Sequence, residues 1–386
     1  MTDRSGGRFA GLRIVWLQSP PWDGLWTRQN HFALRLAREG ADILYVENPV
    51  AIRTRLKAGD AARAPRQVAP GLTVMPLPLQ IPGGRDVEWI GRLNGRRFAG
   101  AVNAWLKAQG WDDYLVWCRV PLALHALEPL SPRAVIYDVT DDYEFYARSD
   151  GERALTTRLE ALMAARAAQV FTTTEQLAQK LSALTTAPVT VVPNGADASF
   201  FETPTGPDPL GELPHPRIGY VGLVADWMDF DLLAKLGQRW PGQVVIVGPV
   251  KPEVQARFDA VPGIVRIGGV PQTQVPAYLH AFDVCIVPHV ISELRHRADP
   301  LKIVEYLATG KPVVSVALRP LEALRPQVDT ATTHDEFLAL VQARLTDPRA
   351  DLAPLRRDTA AARNWDTLYQ RVAEGLARLR SPDPTA

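Results

Sequence analysis

The chain has 386 residues, long for a single hydrophobic core and comfortable for two domains of ordinary size. Hydrophobic residues make up 46% and charged residues 22%, so there is enough apolar side chain for two sizeable cores. Forty-three basic against 42 acidic residues leave a net charge of +1, which argues against nucleic acid as a partner and leaves any anionic ligand to a local site.

The opening residues MTDRSGGRFAGLRIVW carry charge but lack the apolar stretch of a signal peptide. No run approaches the roughly 20 apolar residues of a spanning helix, so the chain is read as cytoplasmic, with peripheral contact at the inner membrane face left open. Short apolar runs then alternate with amphipathic stretches, which predicts a parallel sheet wrapped by helices. The predicted strands of the first half are 13–18, 41–47, 72–77, 114–118, 134–139, 169–174 and 189–193, with helices over 28–39, 85–109 and 152–167. The last of these places apolar residues at 155, 159, 162 and 163, on one helical face.

The loop after the first strand, SPPWDGLWTRQNHFALRLA, is not a GxGxxG loop, which argues against an ordinary dinucleotide fold. Trp22, Asp23, Trp26 and Arg28 are candidates to line an acceptor site. His31, at the start of the helix facing the same crevice, is a further catalytic candidate, although a lone histidine there is more often a surface or capping residue than a base. Residues 51–68 and 85–107 are locally basic with interleaved apolar side chains, Trp89 and Leu93 among them. A solvated helix face explains the pattern most simply, and a face resting on anionic lipid is the sharper account. The strand 134–139 ends in three carboxylates, Asp138, Asp141 and Asp142. Asp141 and Asp142 are the candidate catalytic groups, as a base toward an acceptor hydroxyl or as stabilisers of charge at an anomeric carbon. Helix capping and turn formation are the plainer roles of such aspartates.

Residues 202–216, ETPTGPDPLGELPHP, hold five prolines and two glycines and interrupt both element types. The alternation restarts with strands at 217–222, 243–248, 265–269, 283–288 and 312–317, followed by helices over 334–346 and 355–380 and a frayed tail, SPDPTA. Two doubly wound, Rossmann-like parallel-sheet domains are therefore expected: residues 1–198, a linker at 199–216, residues 217–362, and a terminal helix at 363–380. Cys118 and Cys285, the two cysteines, both sit in apolar runs and read as buried structural thiols.

The most informative stretch is ADPLKIVEYLATGKPVVS, residues 298–315. Asp299 reads as an N-cap, Pro300 as the first helical residue, and Leu301, Val304 and Leu307 as the inward face. Gly310 is placed to close the helix in a left-handed conformation. Such a helix start suits a diphosphate. Lys302 in its first turn works against the dipole and asks for an anionic partner. Glu305, one turn later, suits two neighbouring hydroxyls of a ribose. An exposed Lys302–Glu305 pair is the bland alternative.

This stretch resembles the donor-binding signature of glycosyltransferase family 4, the group 1 glycosyltransferases, and its PLK variant is similar to a teichuronic-acid and capsule-type branch. GGVPQTQVPAYLHAFDVCIVPH (268–289) is similar to the family's segment beside the nucleotide base, implying roles for Gly269 and Val270. VTVVPNGAD (189–197) resembles its strand into the hinge, with Asn194 in register and so assigned to the acceptor crevice. The resemblance implies a GT-B architecture, two domains facing across a cleft, with the donor in the second. It implies a nucleoside-diphosphate sugar as donor substrate, no required cofactor, no metal, and a glycan or lipid-linked acceptor. It also implies retention of anomeric configuration.

Two departures stand out. A sugar-contacting glutamate of the family, eight positions before the ribose-binding one, is here Arg297. The basic residues expected after the first strand of the second domain are missing from GYVGLVADWMDFD, although Gly222 is in place. The donor phosphates are then expected to lean on Lys302 with Arg295 or Arg297. A non-catalytic nucleotide- or glycan-binding protein and a nucleotide-sugar epimerase are the rival readings.

Overall fold

The computed structural model describes residues 6–24, 26–49 and 64–380. The basic stretch 51–63 and the tail 381–386 lie outside the described residues. The chain divides into two compact units, residues 1–193 with 369–386, and residues 194–368.

The first unit holds eight strands: β1 Arg13–Ser19, β2 Asp42–Glu47, β3 Arg66–Ala69, β4 Leu72–Met75, β5 Leu115–Cys118, β6 Ala134–Val139, β7 Gln169–Thr172 and β8 Val189–Val191. They run in the order β3-β4-β2-β1-β5-β6-β7-β8. All neighbouring pairs are parallel except β3–β4, where Arg66 lies opposite Val74. The apolar runs form the inner strands because both their faces are covered: Val15, Leu17, Leu44, Val46, Val116 and Val135 share one cluster with Phe98, Leu106 and Met163 of flanking helices. Helices Arg28–Arg38, Glu88–Gln109 and Asp150–Arg166 match the predicted ones. One predicted inward residue of the last differs: Leu162 is 48% exposed, while Leu155, Leu159 and Met163 are buried.

The second unit holds β9 Ile218–Val221, β10 Val244–Val247, β11 Ile264–Gly268, β12 Val284–Val287, β13 Val313–Val316 and β14 Val328–Ala331. Its all-parallel order is β11-β10-β9-β12-β13-β14. Residues 194–216, expected as linker and flank, pack with this unit. Phe200 and Leu210 are buried in its core. Arg217, 2% exposed, donates to the carbonyl of Leu213 and pairs with Asp208 at 2.6 Å. The prolines stop regular structure there, but the apolar and charged anchors between them fix the path.

The predicted helix 355–380 is two helices, Ala353–Ala361 and Trp365–Ala377. Between them Arg363 O accepts from Ala196 N, Trp365 N donates to Ala196 O, and the Asn364 side chain accepts from Asp366 N. Residues 365–368 count with the second unit and the rest of that helix with the first. Both cysteines are free and buried, and burial pushes each thiol up to about 12.

Candidate functional site

In both sheets the first strand stands beside strands reached in opposite directions, β1 between β2 and β5, β9 between β10 and β12. The carboxyl ends at such a reversal are where open α/β sheets bind ligands.

In the second unit Gly222 follows β9 with φ +147° and Gly248 follows β10 with φ +147°. A Cβ on Gly222 would overlap Lys302 Cε, and one on Gly248 would overlap the Gly222 carbonyl. Glycine at both places therefore lets the two loops lie against each other and against the Lys302 stem. The Lys302 ammonium stands 5.5 Å from the centre of the Tyr220 ring.

Lys302 belongs to the helix Leu301–Ala308, which ends at Gly310 with φ +79°, as the sequence predicted. Its start differs from expectation. Pro300 occupies the N-cap, and Asp299 does not cap the helix. Instead the Asp299 carboxylate accepts from Asn194 N at 2.6 Å and pairs with Arg363 at 3.1 Å, and Asn194 Nδ2 donates to Asp299 O at 2.8 Å. Asn194, expected in the acceptor crevice, is thus a tie that fixes the helix start. Leu301 is only half-buried; Ile303, Val304, Tyr306 and Leu307 form the inward face. The Tyr306 hydroxyl accepts from Val221 N at 2.9 Å and donates to Val221 O, locking the helix to β9.

Glu305 is partly buried beside Lys302. Burial pushes its carboxyl up to about 7, while Lys302 pulls it down and Asp197 pushes it further up. His289, one residue past Pro288 at the end of β12, is 5% exposed, and its Nε2 has no hydrogen-bond partner. Its ring meets Tyr220 edge-on at 6.0 Å. Burial, then Lys302 and Arg295, hold the imidazole well below its ordinary range. Arg297 sits 3.8 Å from Glu293, one turn back on the short helix Glu293–Arg297. Gly269 and Val270 follow β11, Gly269 exposed and Val270 half-buried against the core.

The first unit gathers its groups at the ends of β1, β5 and β6. Gln18, 7% exposed, has φ +55°, a strained conformation for a residue other than glycine. Arg119, directly after β5, donates to the Tyr143 hydroxyl at 3.3 Å and has a buried Nε without a partner. Burial pulls this guanidinium down, but Tyr143, Asp141 and Asp138 together leave it raised. Asp141 accepts from the Thr140 hydroxyl at 3.0 Å and from Tyr146 at 3.3 Å.

Two candidates prove to be internal supports. Arg28, expected to line the crevice, is 1% exposed and pairs with the fully buried Asp138 at 3.1 Å, while Trp117 Nε1 donates to the same carboxylate. Asp142, expected to be catalytic, is 1% exposed and pairs with Lys180 at 2.5 Å; Lys180 also meets Glu160 at 2.7 Å. Trp22, Trp26 and His31 do come together, but Trp22 and His31 are only 8% and 4% exposed, so of the three only Trp26 is open to a ligand: Trp22 meets Trp26 at 5.7 Å and Tyr45 at 5.1 Å, and Trp26 meets His31 at 5.2 Å. Asp23 is 64% exposed in an ion pair with Arg66.

Sequence reasoning missed Arg119, Tyr143 and His289. Arg119 and His289 each follow an apolar strand by one or two residues, a position that carries the signal once the strand order is known.

Residues 215–346 match the family described as Glycosyl transferases group 1. The chain is 25% identical over 164 residues to a protein named teichuronic acid biosynthesis glycosyltransferase TuaH, from Bacillus subtilis, covering 40% of this chain and 41% of that protein. It is 29% identical over 254 residues to 2-deoxystreptamine glucosyltransferase from Streptomyces kanamyceticus, covering 58% and 63%. The chain therefore spans less than two thirds of either relative. Among solved structures, sucrose-phosphate synthase from Thermosynechococcus elongatus superposes with a TM-score of 0.74 at 16% identity, covering 95% of this chain and 99% of the other. The trehalose-6-phosphate synthase OtsA superposes with a TM-score of 0.68 at 13% identity, covering 96% and 100%. The two-unit parallel-sheet fold is the GT-B fold of these neighbours.

Proposed function

We propose that this chain, a member of the group 1 glycosyl transferases, moves a sugar from a nucleoside-diphosphate sugar to an acceptor hydroxyl. The observation that carries the reading is the Lys302 stem lying across Gly222 with Glu305 one turn behind it, inside the segment that matches the family. Glu305, once ionised, accepts hydrogen bonds from two ribose hydroxyls. Lys302 neutralises the leaving diphosphate. The bond from the anomeric carbon to the phosphate oxygen breaks, a bond to the acceptor oxygen forms, and the acceptor proton passes to the departing phosphate oxygen. Anomeric configuration is retained.

The acceptor is assigned to the carboxyl edge of the first sheet. There Asp141 orients the hydroxyl, and half-buried Trp26, backed by buried Trp22 and His31, offers an apolar ring face to a sugar. A glycan or lipid-linked glycan of surface-polysaccharide synthesis fits both the fold and the first relative. No described helix is long and apolar enough to cross a membrane. A peripheral contact through exposed Trp89, Leu93 and Val87 would appear as flotation with anionic vesicles. The diphosphate charge is met by side chains in this reading, so turnover is unchanged by EDTA.

The test is release of nucleoside diphosphate from UDP-, GDP-, ADP- and TDP-sugars, with and without a lipid extract. Release from one donor that rises with extract and disappears in Glu305→Gln and Lys302→Ala supports the reading. Binding of a nucleotide with no release from any donor sinks it.

A further inference from the structure

The segment Gly222–Asp231 carries three aspartates and no basic residue, yet its Trp227 ring is met by two cations that arrive from elsewhere. Its backbone is stitched to both neighbouring segments. Val224 N donates to Pro249 O and Lys251 N to Val224 O, each at 2.9 Å. On the other side Asp229 N donates to Pro288 O at 2.9 Å and Val290 N to Trp227 O at 2.8 Å.

This stitching brings two cations onto one ring. The Lys251 ammonium and the Arg295 guanidinium each lie 5.1 Å from the centre of the Trp227 ring, hence within about 10 Å of each other. A single cation over an indole is an ordinary packing contact. Two cations within about 10 Å of each other repel, and an anion placed between them is attracted by both. A second observation reports the same local field. His289, bridged to Met228 of the same segment, is held neutral first by burial and then by Lys302 and Arg295, and it keeps a buried nitrogen without a partner.

We propose that Lys251 and Arg295, carried on Trp227, bind the diphosphate of the donor together with Lys302, and that Trp227 is the residue that positions them. The inference rests on the reading of this unit as the nucleotide-sugar site. Lys302 covers the phosphate at the helix start, and the pair on Trp227 takes the charge that a basic residue within 222–231 would otherwise meet. The leaving group is thereby held by three separate segments, so its capture depends on their staying stitched together.

The experiment is isothermal titration calorimetry on the full chain with UDP, GDP, ADP and TDP, their parent nucleosides, and inorganic pyrophosphate. Lys251→Ala and Arg295→Ala are each expected to weaken the preferred diphosphate about tenfold, to leave the nucleoside unchanged, and to reduce the dependence of affinity on salt. Trp227→Leu should reproduce that loss without removing a charge, and Trp227→Phe should restore most of it, which a merely structural tryptophan would not do selectively for the diphosphate. Near-ultraviolet circular dichroism checks folding, with Lys251→Met replacing any alanine variant that is disturbed. Pyrophosphate bound as tightly as the nucleotide would show a free anion site instead and overturn the proposal. It is equally overturned if Lys251→Ala and Arg295→Ala bind the diphosphate like the wild type while Lys302→Ala does not. If the wild type binds no nucleoside diphosphate at all, the reading of the unit as a donor site fails, and this inference falls with it.

Discussion

Replacing Glu305 by glutamine should make the second unit more stable and worse at binding nucleotide, and the stability gain should depend on pH. Burial pushes the Glu305 carboxyl from 4.5 up to about 7. A carboxyl that binds its proton more tightly in the folded chain favours folding at low pH and loses that advantage as pH rises from about 4.5 through about 7. Fully ionised, it costs the fold about 3 kcal/mol at 1.36 kcal/mol per tenfold change in proton affinity, and less to the extent that water reaches the partly exposed side chain. Glu305→Gln removes that cost. For a unit of this size the gain corresponds to a melting temperature about 5–10 °C higher at pH 8.5 and little changed at pH 4.5. Differential scanning calorimetry of both proteins at the two pH values measures it, and nucleotide affinity is read in parallel. A variant that melts lower than the wild type at pH 8.5, or whose difference is the same at both pH values, refutes the idea that the site holds a strained carboxylate for its ligand.

Gly222→Ala should displace Lys302 and strain a backbone at φ +147°, and most of its effect on nucleotide binding should vanish in a Lys302→Ala background, as a double-mutant cycle would show. Asp138→Asn leaves Arg28 buried without its carboxylate and should cost the first unit about 3–5 kcal/mol, visible as a lower melting temperature. Asp142→Asn should likewise lower stability through Lys180 while sparing turnover, whereas Asp141→Asn should lower turnover and barely move the melting temperature. Because His289 is held below its ordinary pKa, the unfolded chain binds the extra proton more readily. Stability should therefore fall as pH drops below about 6.5, and His289→Asn should flatten that acid limb in a pH series of thermal melts.

The inner strands were legible because an element covered on both faces must be apolar throughout, as in β5 (LVWC) and β10 (VVIV). The two strands that went unseen, β3 (RQVA) and β14 (VDTA), both lie at sheet edges, where one side and often one face meet water and the apolar pattern is not required. The proline-rich stretch was rightly seen to interrupt regular structure. Its membership in the second unit depends on Phe200, Leu210 and Arg217 finding partners that no local pattern reveals. The donor-side helix was legible for the opposite reason. Its inward face, its glycine terminator and the Lys302–Glu305 spacing all lie within ten consecutive residues.

The carboxylates at the end of β6 mark where local reading stops. Asp138, Asp141 and Asp142 are equivalent by composition and position, and what separates them is the charge each one meets across the fold. Arg28, 110 positions before Asp138, neutralises the first, and Lys180, 38 positions after Asp142, neutralises the third. Both pairs are sealed from solvent at the carboxylate, where an ion pair broken by ligand or proton would cost several kcal/mol, so neither group is free to exchange protons during turnover. Asp141 instead rests among the hydroxyls of Thr140 and Tyr146, half-exposed at the carboxyl edge of the sheet, with the Arg119 charge acting on it through space. Hydroxyl partners hold a carboxylate in place without cancelling its charge, which is the condition a group must meet to take hold of an acceptor hydroxyl or face a developing cation.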